Sequence, residues 1–322
     1  MQSVAKKITL NKTKLLRTLF IILILYITSF NVNAQLKTQQ IKTDTATDFN
    51  KRRLKYVILT ESILYSSSIV VLNNMWYKNY PRSCFHFFND NDEWLQMDKT
   101  GHAATGYYLG KIGYELLKYS GVNENKSVWY GGTLGFVYLT SIEILDGFSE
   151  QWGASVGDLA ANTLGSAVFI GQQLLFNEQK ILIKYSFHQT DYAKQRPELL
   201  GYKLHENVIK DYNGHTYWLS ANIHSFLKKK SKFPSWLNIA FGYGADGMIT
   251  GKPDTENNFI PPLPKIDRYR QYYLSLDIDL TRIKTNSKIL KALLLSVGFI
   301  KIPAPAIEYN TKNGIKFHCL YF

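Results

Sequence analysis

Four stretches in the first half of the chain read as helices, and one near its end alternates strictly. The first helix is expected from about Tyr56 to Tyr77, with Glu61 near its start and the apolar run Ile69-Val70-Val71-Leu72 later. A second is expected over Thr100–Tyr119, a third over Ser127–Leu145 and a fourth over Ser155–Leu175. Ser155 stands three residues before Asp158, the spacing of a capping box. The middle of the chain is mixed. Ser235–Phe241 reads as a short amphipathic helix with Trp236 on its apolar side, Gly242–Gly247 as a loop, and Pro261-Pro262-Leu263-Pro264 as a rigid connector. From Tyr272 to Leu280 the apolar residues fall on every second position, the signature of a strand, with Asp277 and Asp279 on the other face. Ile289–Phe299 reads as a helix, and Asn310–Gly314 as a turn joining two short strands.

The fold class expected is therefore mainly α: a compact helical bundle rich in small residues, then a small α+β region with a few antiparallel strands. Glycine and alanine crowd the helices, with Gly106, Gly110 and Gly113 in the second, Gly131, Gly132 and Gly135 in the third, and Ala160, Ala161, Gly165 and Ala167 in the fourth. Glycine weakens a helix, so its repetition points to helices whose backbones nearly touch. A tightly packed soluble bundle with some of these glycines in loops is the other reading. In domain terms the expectation is a signal peptide over 1–34, a flexible leader over 35–55 and the bundle over 56–185. A mixed connector over 186–264 and a small antiparallel sheet with one helix over 265–322 complete it.

The amino terminus points to export. Lys6, Lys7, Lys12, Lys14 and Arg17 precede an apolar run from Leu19 to Ile27, and Val32-Asn33-Ala34 ends in a small residue, as a signal peptidase requires. The run is short for a full bilayer crossing, which favours cleavage over a retained anchor. Cleavage before Gln35 would lower the formal charge from +13 to +8 by removing five positive charges and no acid. A positive surface of that size suits acidic lipid headgroups or an acidic partner protein. The basic aromatic run Lys228, Lys229, Lys230, Lys232, Phe233 and Trp236 is a candidate membrane or partner patch; a solvated face is the plainer reading.

Composition excludes several classes. A chain that is 45% hydrophobic and 20% charged is not disordered. There is no recognition helix or zinc module, so no nucleic acid is expected. Gly131-Gly132-x-x-Gly135 lacks a preceding strand and a phosphate-binding lysine, and Gly242-x-Gly244-x-x-Gly247 lacks a β-α-β setting, so no nucleotide is expected either. Asp90-Asn91-Asp92-Glu93 reads as an acidic turn before a weak calcium loop. Two cysteines, Cys84 and Cys319, are free thiols or a bridge of the kind an oxidising compartment permits. Leu320 and Phe322 faintly resemble the closing strand of an outer-membrane barrel, but Lys316 and His318 fall on the same face and too few strands are legible, which argues against a barrel.

Polar residues then recur at helical spacing inside the bundle. Asp98 and His102 are four apart, Glu143 and Asp146 three, Asp158 and Asn162 four, with Lys99 beside the first pair. Charges on small, apolar helix faces are costly unless they meet one another, so a polar cluster is expected where these helices converge. Asp98-Lys99-x-x-His102, Glu143-x-x-Asp146 and Asp158-x-x-x-Asn162-x-x-Gly165 together resemble the YfiM-like family of predicted periplasmic lipoproteins of unknown function. They are more distantly similar to VanZ-like membrane proteins. The resemblance covers about residues 95–175, and residues 205–322 look like an extension found in envelope proteins of the Bacteroidetes type. It implies location and architecture, with no settled activity to carry across. Two departures stand out: no cysteine follows the export signal for a lipid to be attached to, and Asp146 replaces the glutamine of the VanZ-like pattern.

Three roles compete for the cluster. His102 and Asn162 can satisfy Glu143, Asp146 and Asp158 by hydrogen bonding and so fix the packing. His102, Glu143, Asp146 and Asp158 can hold a divalent metal. His102 and Glu143 are candidate catalytic groups, although no nucleophile accompanies them. The expectation is an exported, periplasmic or outer-membrane-associated protein with a structural or accessory role, whose partner is an envelope protein complex or a membrane surface. Its cofactor is none, or a divalent metal. The alternative is a metal-dependent hydrolase acting on an envelope lipid or cell-wall component.

Overall fold

The computed structural model describes residues 48–78, 80–227, 231–253 and 263–321. The expected signal peptide over 1–34, most of the expected leader over 35–55, Lys228–Lys230 and the Pro261-Pro262 pair lie outside the described residues. Helices come first and strands second, as the sequence leads one to expect.

Helix α1 spans Lys51–Leu72 and starts at Asn50, whose side chain accepts from the Arg53 N–H. It continues into a π-helical turn at Asn73–Tyr77. Helix α2 spans Met97–Tyr119, α3 Leu134–Gly147 and α4 Val156–Phe176. Their glycines sit at points of backbone contact. A methyl group on Gly135 would lie 2.2 Å from the Gly106 carbonyl oxygen, and one on Gly165 would lie 2.1 Å from that of Ala103. Each glycine costs its helix about 1 kcal/mol relative to alanine, which closer packing offsets. Between these helices lies a core of Ala104, Tyr107, Val128, Phe169 and Ile170, to which Ile183 of the first strand adds.

Six antiparallel strands follow in sequential order: β1 Ile181–Phe187, β2 His215–Asn222, β3 Leu237–Asp246, β4 Tyr269–Ile278, β5 Ala304–Asn310 and β6 Gly314–Tyr321. The sheet thus starts well before the alternating stretch that announces it in the sequence. Ser235–Phe241 is not a helix, and Gly242 and Gly244 are not in a loop: both belong to β3. The physical reason is steric. Gly242 lies opposite Trp218, whose ring would be 2.7 Å from any β-carbon there. Small residues in β3 make room for that indole, and so they imitate a turn.

The polarity of the sheet is the reverse of a water-soluble one. One face carries the cross-strand row Leu219, Phe241, Leu274, Ile307 and Phe317, all 43–67% exposed. The opposite face buries Lys184, Ser220, Asp277, Glu308 and Asn310 around Trp218 and Tyr273. Side chains on this inner face reach across strands that are not neighbours. Lys184 of β1 pairs with Asp277 of β4 at 2.7 Å, and the hydroxyls of Thr216 in β2 and Tyr321 in β6 are 3.0 Å apart. The sheet is therefore rolled, with the polar face inside. The Tyr185 N–H donates to the Phe299 carbonyl and the Lys301 N–H to the Tyr185 carbonyl, which covers the free edge of β1. A bulge in β6 lets His318 pair with Ala306 on the inner face while Leu320 stays outside. That register shift removes the objection that His318 and Leu320 share a face.

Asp279–Gly298 belongs to a separate compact unit. In it Asp279 accepts from the Thr281 N–H and pairs with Arg282, and α5 spans Lys288–Ser296. Cys84 and Cys319 are free thiols and exposed in this structure.

Candidate functional site

The expected polar residues fall into two linked groups at the start of α2, the start of α4 and the end of α3. Each helix brings its acids there for a local reason. Ser155 caps α4 by accepting from the Asp158 N–H at 3.0 Å. The reciprocal half of a capping box is absent: the Ser155 N–H donates instead to Glu143 Oε2 of α3 at 2.9 Å. This frees the Asp158 carboxylate for Lys99. The Ser155 hydroxyl donates to Asp90 at 2.6 Å, so one serine ties three segments together.

Lys99 is the hub of the first group. Its ammonium lies 2.9 Å from Asp90, 3.1 Å from Asp98 and 3.2 Å from Asp158. Burial works against its charge, but the hydrogen bond to Asp90 and the charges of Asp98 and Asp158 prevail and raise its pKa. Burial pushes Asp98 up. Burial also acts on Asp90, where the hydrogen bonds from Lys99 and Ser155 outweigh it and hold the carboxyl below its usual range.

His102 centres the second group. Its Nδ1–H donates to Asn162 Oδ1 at 2.9 Å, and the same nitrogen is 3.9 Å from Glu143. Burial raises Glu143 to about 7 and Asp146 to about 6. Asp146 stands apart from His102's hydrogen bonds and accepts from the Tyr77 hydroxyl at 2.7 Å. The site thus holds five carboxyls, Asp90, Asp98, Glu143, Asp146 and Asp158, against the single lysine and one histidine. Asp98 Oδ1 and Asn162 Nδ2 are buried without a hydrogen-bond partner.

His102, Glu143 and Asp158 each offer a ligand atom within 4.8 Å of the others, as do Asp90, Asp98 and Asp158. A mixed nitrogen and carboxylate set suits zinc, manganese or iron, while the all-oxygen set suits magnesium or calcium. Phe87, Phe88, Asn89, Asn91, Val156 and Gly157 line a groove beside the site.

The backbone leading into α2 is held in an unusual state. Trp94, Leu95 and Gln96 have positive φ values of 48°, 48° and 63°, in the left-handed region that non-glycine residues rarely occupy. The sheet and its loops hold them there. The Leu95 carbonyl accepts from the Tyr243 hydroxyl, Gln96 Oε1 from Arg270 at 2.7 Å, and the Trp94 N–H donates to the Gly251 carbonyl. Met97, Asp98 and Lys99 enter the helix from this fixed point.

Sequence reasoning missed Asp90 and Tyr77 as members of the site. Asp90 lay in a stretch read as an acidic turn, and only the fold brings it to Lys99. In the basic aromatic patch, Lys232 and Trp236 are exposed and Phe233 is half-buried, in the turn between β2 and β3. Neither a curated protein nor a solved structure matches this chain. Residues 86–173, which hold Asp90, Lys99, His102, Glu143, Asp158 and Asn162, do match the model of a protein family. That family is described as predicted periplasmic lipoprotein (DUF2279), in agreement with the resemblance in the three motifs and with an exported, periplasmic or outer-membrane-associated chain.

Proposed function

We propose that the protein is a non-catalytic structural or accessory component of the cell envelope, in which the polar cluster locks the helices that carry it. The observation behind this reading is the use of the acids as ties. Asp90 and Asp158 meet Lys99, Glu143 receives the Ser155 N–H, and Asp146 receives the Tyr77 hydroxyl. Each bond joins a different pair of segments, which is what a clamp requires. Lys232 and Trp236, with Lys228–Lys230, supply the contact to an anionic membrane surface or an envelope partner in outer-membrane or envelope assembly. Under this reading, His102→Ala costs about 1–3 kcal/mol of stability through the unpaired Asn162. The purified protein carries no stoichiometric metal.

A second reading is a metal-dependent hydrolase acting on an envelope lipid or cell-wall component. It is supported by His102, Glu143 and Asp158 standing within ligand distance of one another. A zinc ion held there would supply a bound water of lowered pKa. The two readings separate in one experiment: metal analysis by mass spectrometry alongside thermal unfolding for the parent, His102→Ala and Asp158→Asn proteins. One metal per chain that disappears in both variants, with chelator lowering the unfolding temperature of the parent but not of the variants, favours the hydrolase. Loss of stability with no metal in any sample favours the clamp.

A further inference from the structure

Beyond β2, the Trp94–Met97 segment meets the outer face of the rolled sheet at its Tyr243–Arg270 end, and the middle of that face stands exposed. Helix α2 packs against β1 and β2, where the Tyr108 hydroxyl donates to the Ile183 carbonyl and Gly101 meets Tyr217, and its first residue, Met97, packs against Ala245 at the end of β3. From Leu219 onward the face is apolar and exposed: Phe241, Leu274, Leu276, Ile307, Phe317 and Leu320. Chemistry changes at both ends of this band. At one end the row continues as Tyr243, Tyr272 and Tyr309, with the last two stacked at 6.4 Å, and is followed by the Lys312–Asp267 ion pair and Arg270. At the other end are Trp236, Phe226 and Lys232, with the Lys180 ammonium 5.2 Å over the Phe226 ring. Seven residue steps lead from Trp236 along β3 to Tyr243, about 23 Å of strand, which at a tilt of about 40° spans about 18 Å of the ~25 Å apolar band of a bilayer-embedded sheet.

We infer that this face lies in the hydrocarbon of a lipid bilayer, with the tyrosine row in one headgroup layer and the Trp236–Phe226–lysine end in the other. Three observations select lipid over a second copy of the chain. The buried side of the sheet is polar and paired, so exposing its apolar side to water would invert the usual driving force, whereas lipid restores it. Aromatic residues bound the band at both ends, as they do at membrane interfaces, and lysines at the Trp236 end complement anionic headgroups. The apolar face is also the convex one, because Lys184 reaches Asp277 and Thr216 reaches Tyr321 on the inside. Two convex faces related by a twofold axis meet along a line, while lipid chains conform to the curve. Helix α1 adds a second exposed apolar surface, on which Ile58, Leu59, Ile63 and Val70 are each more than half exposed.

This inference rests on the envelope location proposed above and names the partner of that location. The test uses the full chain with Cys84→Ser and Cys319→Ser, carrying one new cysteine labelled with an environment-sensitive fluorophore at Leu274→Cys, Phe317→Cys or Lys312→Cys. Vesicles of phosphatidylethanolamine and phosphatidylglycerol are prepared with and without bromine on the acyl chains. Brominated lipid should quench the labels at 274 and 317 at least about twofold more than the label at 312, with aqueous iodide showing the opposite order. Three results would overturn the idea. A protein that does not float with the vesicles fails both this inference and membrane contact as the envelope role. One that floats while iodide reaches 274 and 317 fails the assignment of this face alone. Labels shielded from both quenchers, in a protein that is dimeric in detergent, would assign the face to a second copy.

Discussion

At the residue scale the site is defined by an excess of buried acid. Glu143 and Asp146 have folded-state pKa values raised by burial to about 7 and about 6. The folded protein therefore holds their protons more tightly than the unfolded chain does. Their contribution to stability is complete below about pH 4 and is lost as pH rises toward 7, a loss on the order of a few kcal/mol. Chemical unfolding of the metal-free protein at pH 5 and pH 8 should show greater stability at pH 5, and Glu143→Gln should flatten the difference. A resident divalent metal reverses the sign, since metal binding requires the carboxylates to be deprotonated. Much of this site was legible in advance, because Asp98, His102, Glu143, Asp158 and Asn162 recur at helical spacing on otherwise small and apolar faces. Asp90 and Tyr77 were not, since nothing local marks a turn acid or a tyrosine 69 residues from its partner as belonging to a cluster.

At the element scale, close helix packing and the misread strand have one cause, the replacement of side chains by hydrogen where another group must fit. Gly165→Ala places a methyl group 2.1 Å from a backbone oxygen, so it should destabilise the protein by about 1–3 kcal/mol or more. Gly171, six residues on in the same helix, has nothing within 4 Å of its missing β-carbon. Gly171→Ala should be neutral or stabilising by up to about 1 kcal/mol, and thermal unfolding of the pair checks both. The helices were readable because apolar and small residues persist over twenty positions. β3 was not, because its inward positions Asn238, Ala240, Gly242 and Gly244 are polar or small and its outward ones are Ile239, Phe241 and Tyr243. A strand that buries its polar side looks like a loop or an amphipathic helix to any rule that expects apolar residues inside.

At the scale of the whole molecule, the inner face of the sheet acts as a polar core. Lys184 and Asp277 are both fully buried, and Lys184 also donates to the Ile278 carbonyl at 2.7 Å. Lys184→Met leaves the buried Asp277 charge with the Ser220 hydroxyl, the Ile302 N–H and the charge of buried Lys301, and should cost about 3–5 kcal/mol. Adding Asp277→Leu should recover most of that loss, as a double-mutant cycle in detergent would show.

The same chord sets an order of events in time. The lysine of β1 finds its acceptors only after 94 further residues have been made and β4 has come alongside. Until then an early strand carries a charge that no local structure can shelter, so β1 gains little by settling first. Contacts of such separation slow a folding reaction, and they make it collective. A chain built this way would cross an export channel unstructured without difficulty, then acquire its sheet in one step once its last third has emerged. Versions shortened before Tyr269 should yield helices without a stable sheet.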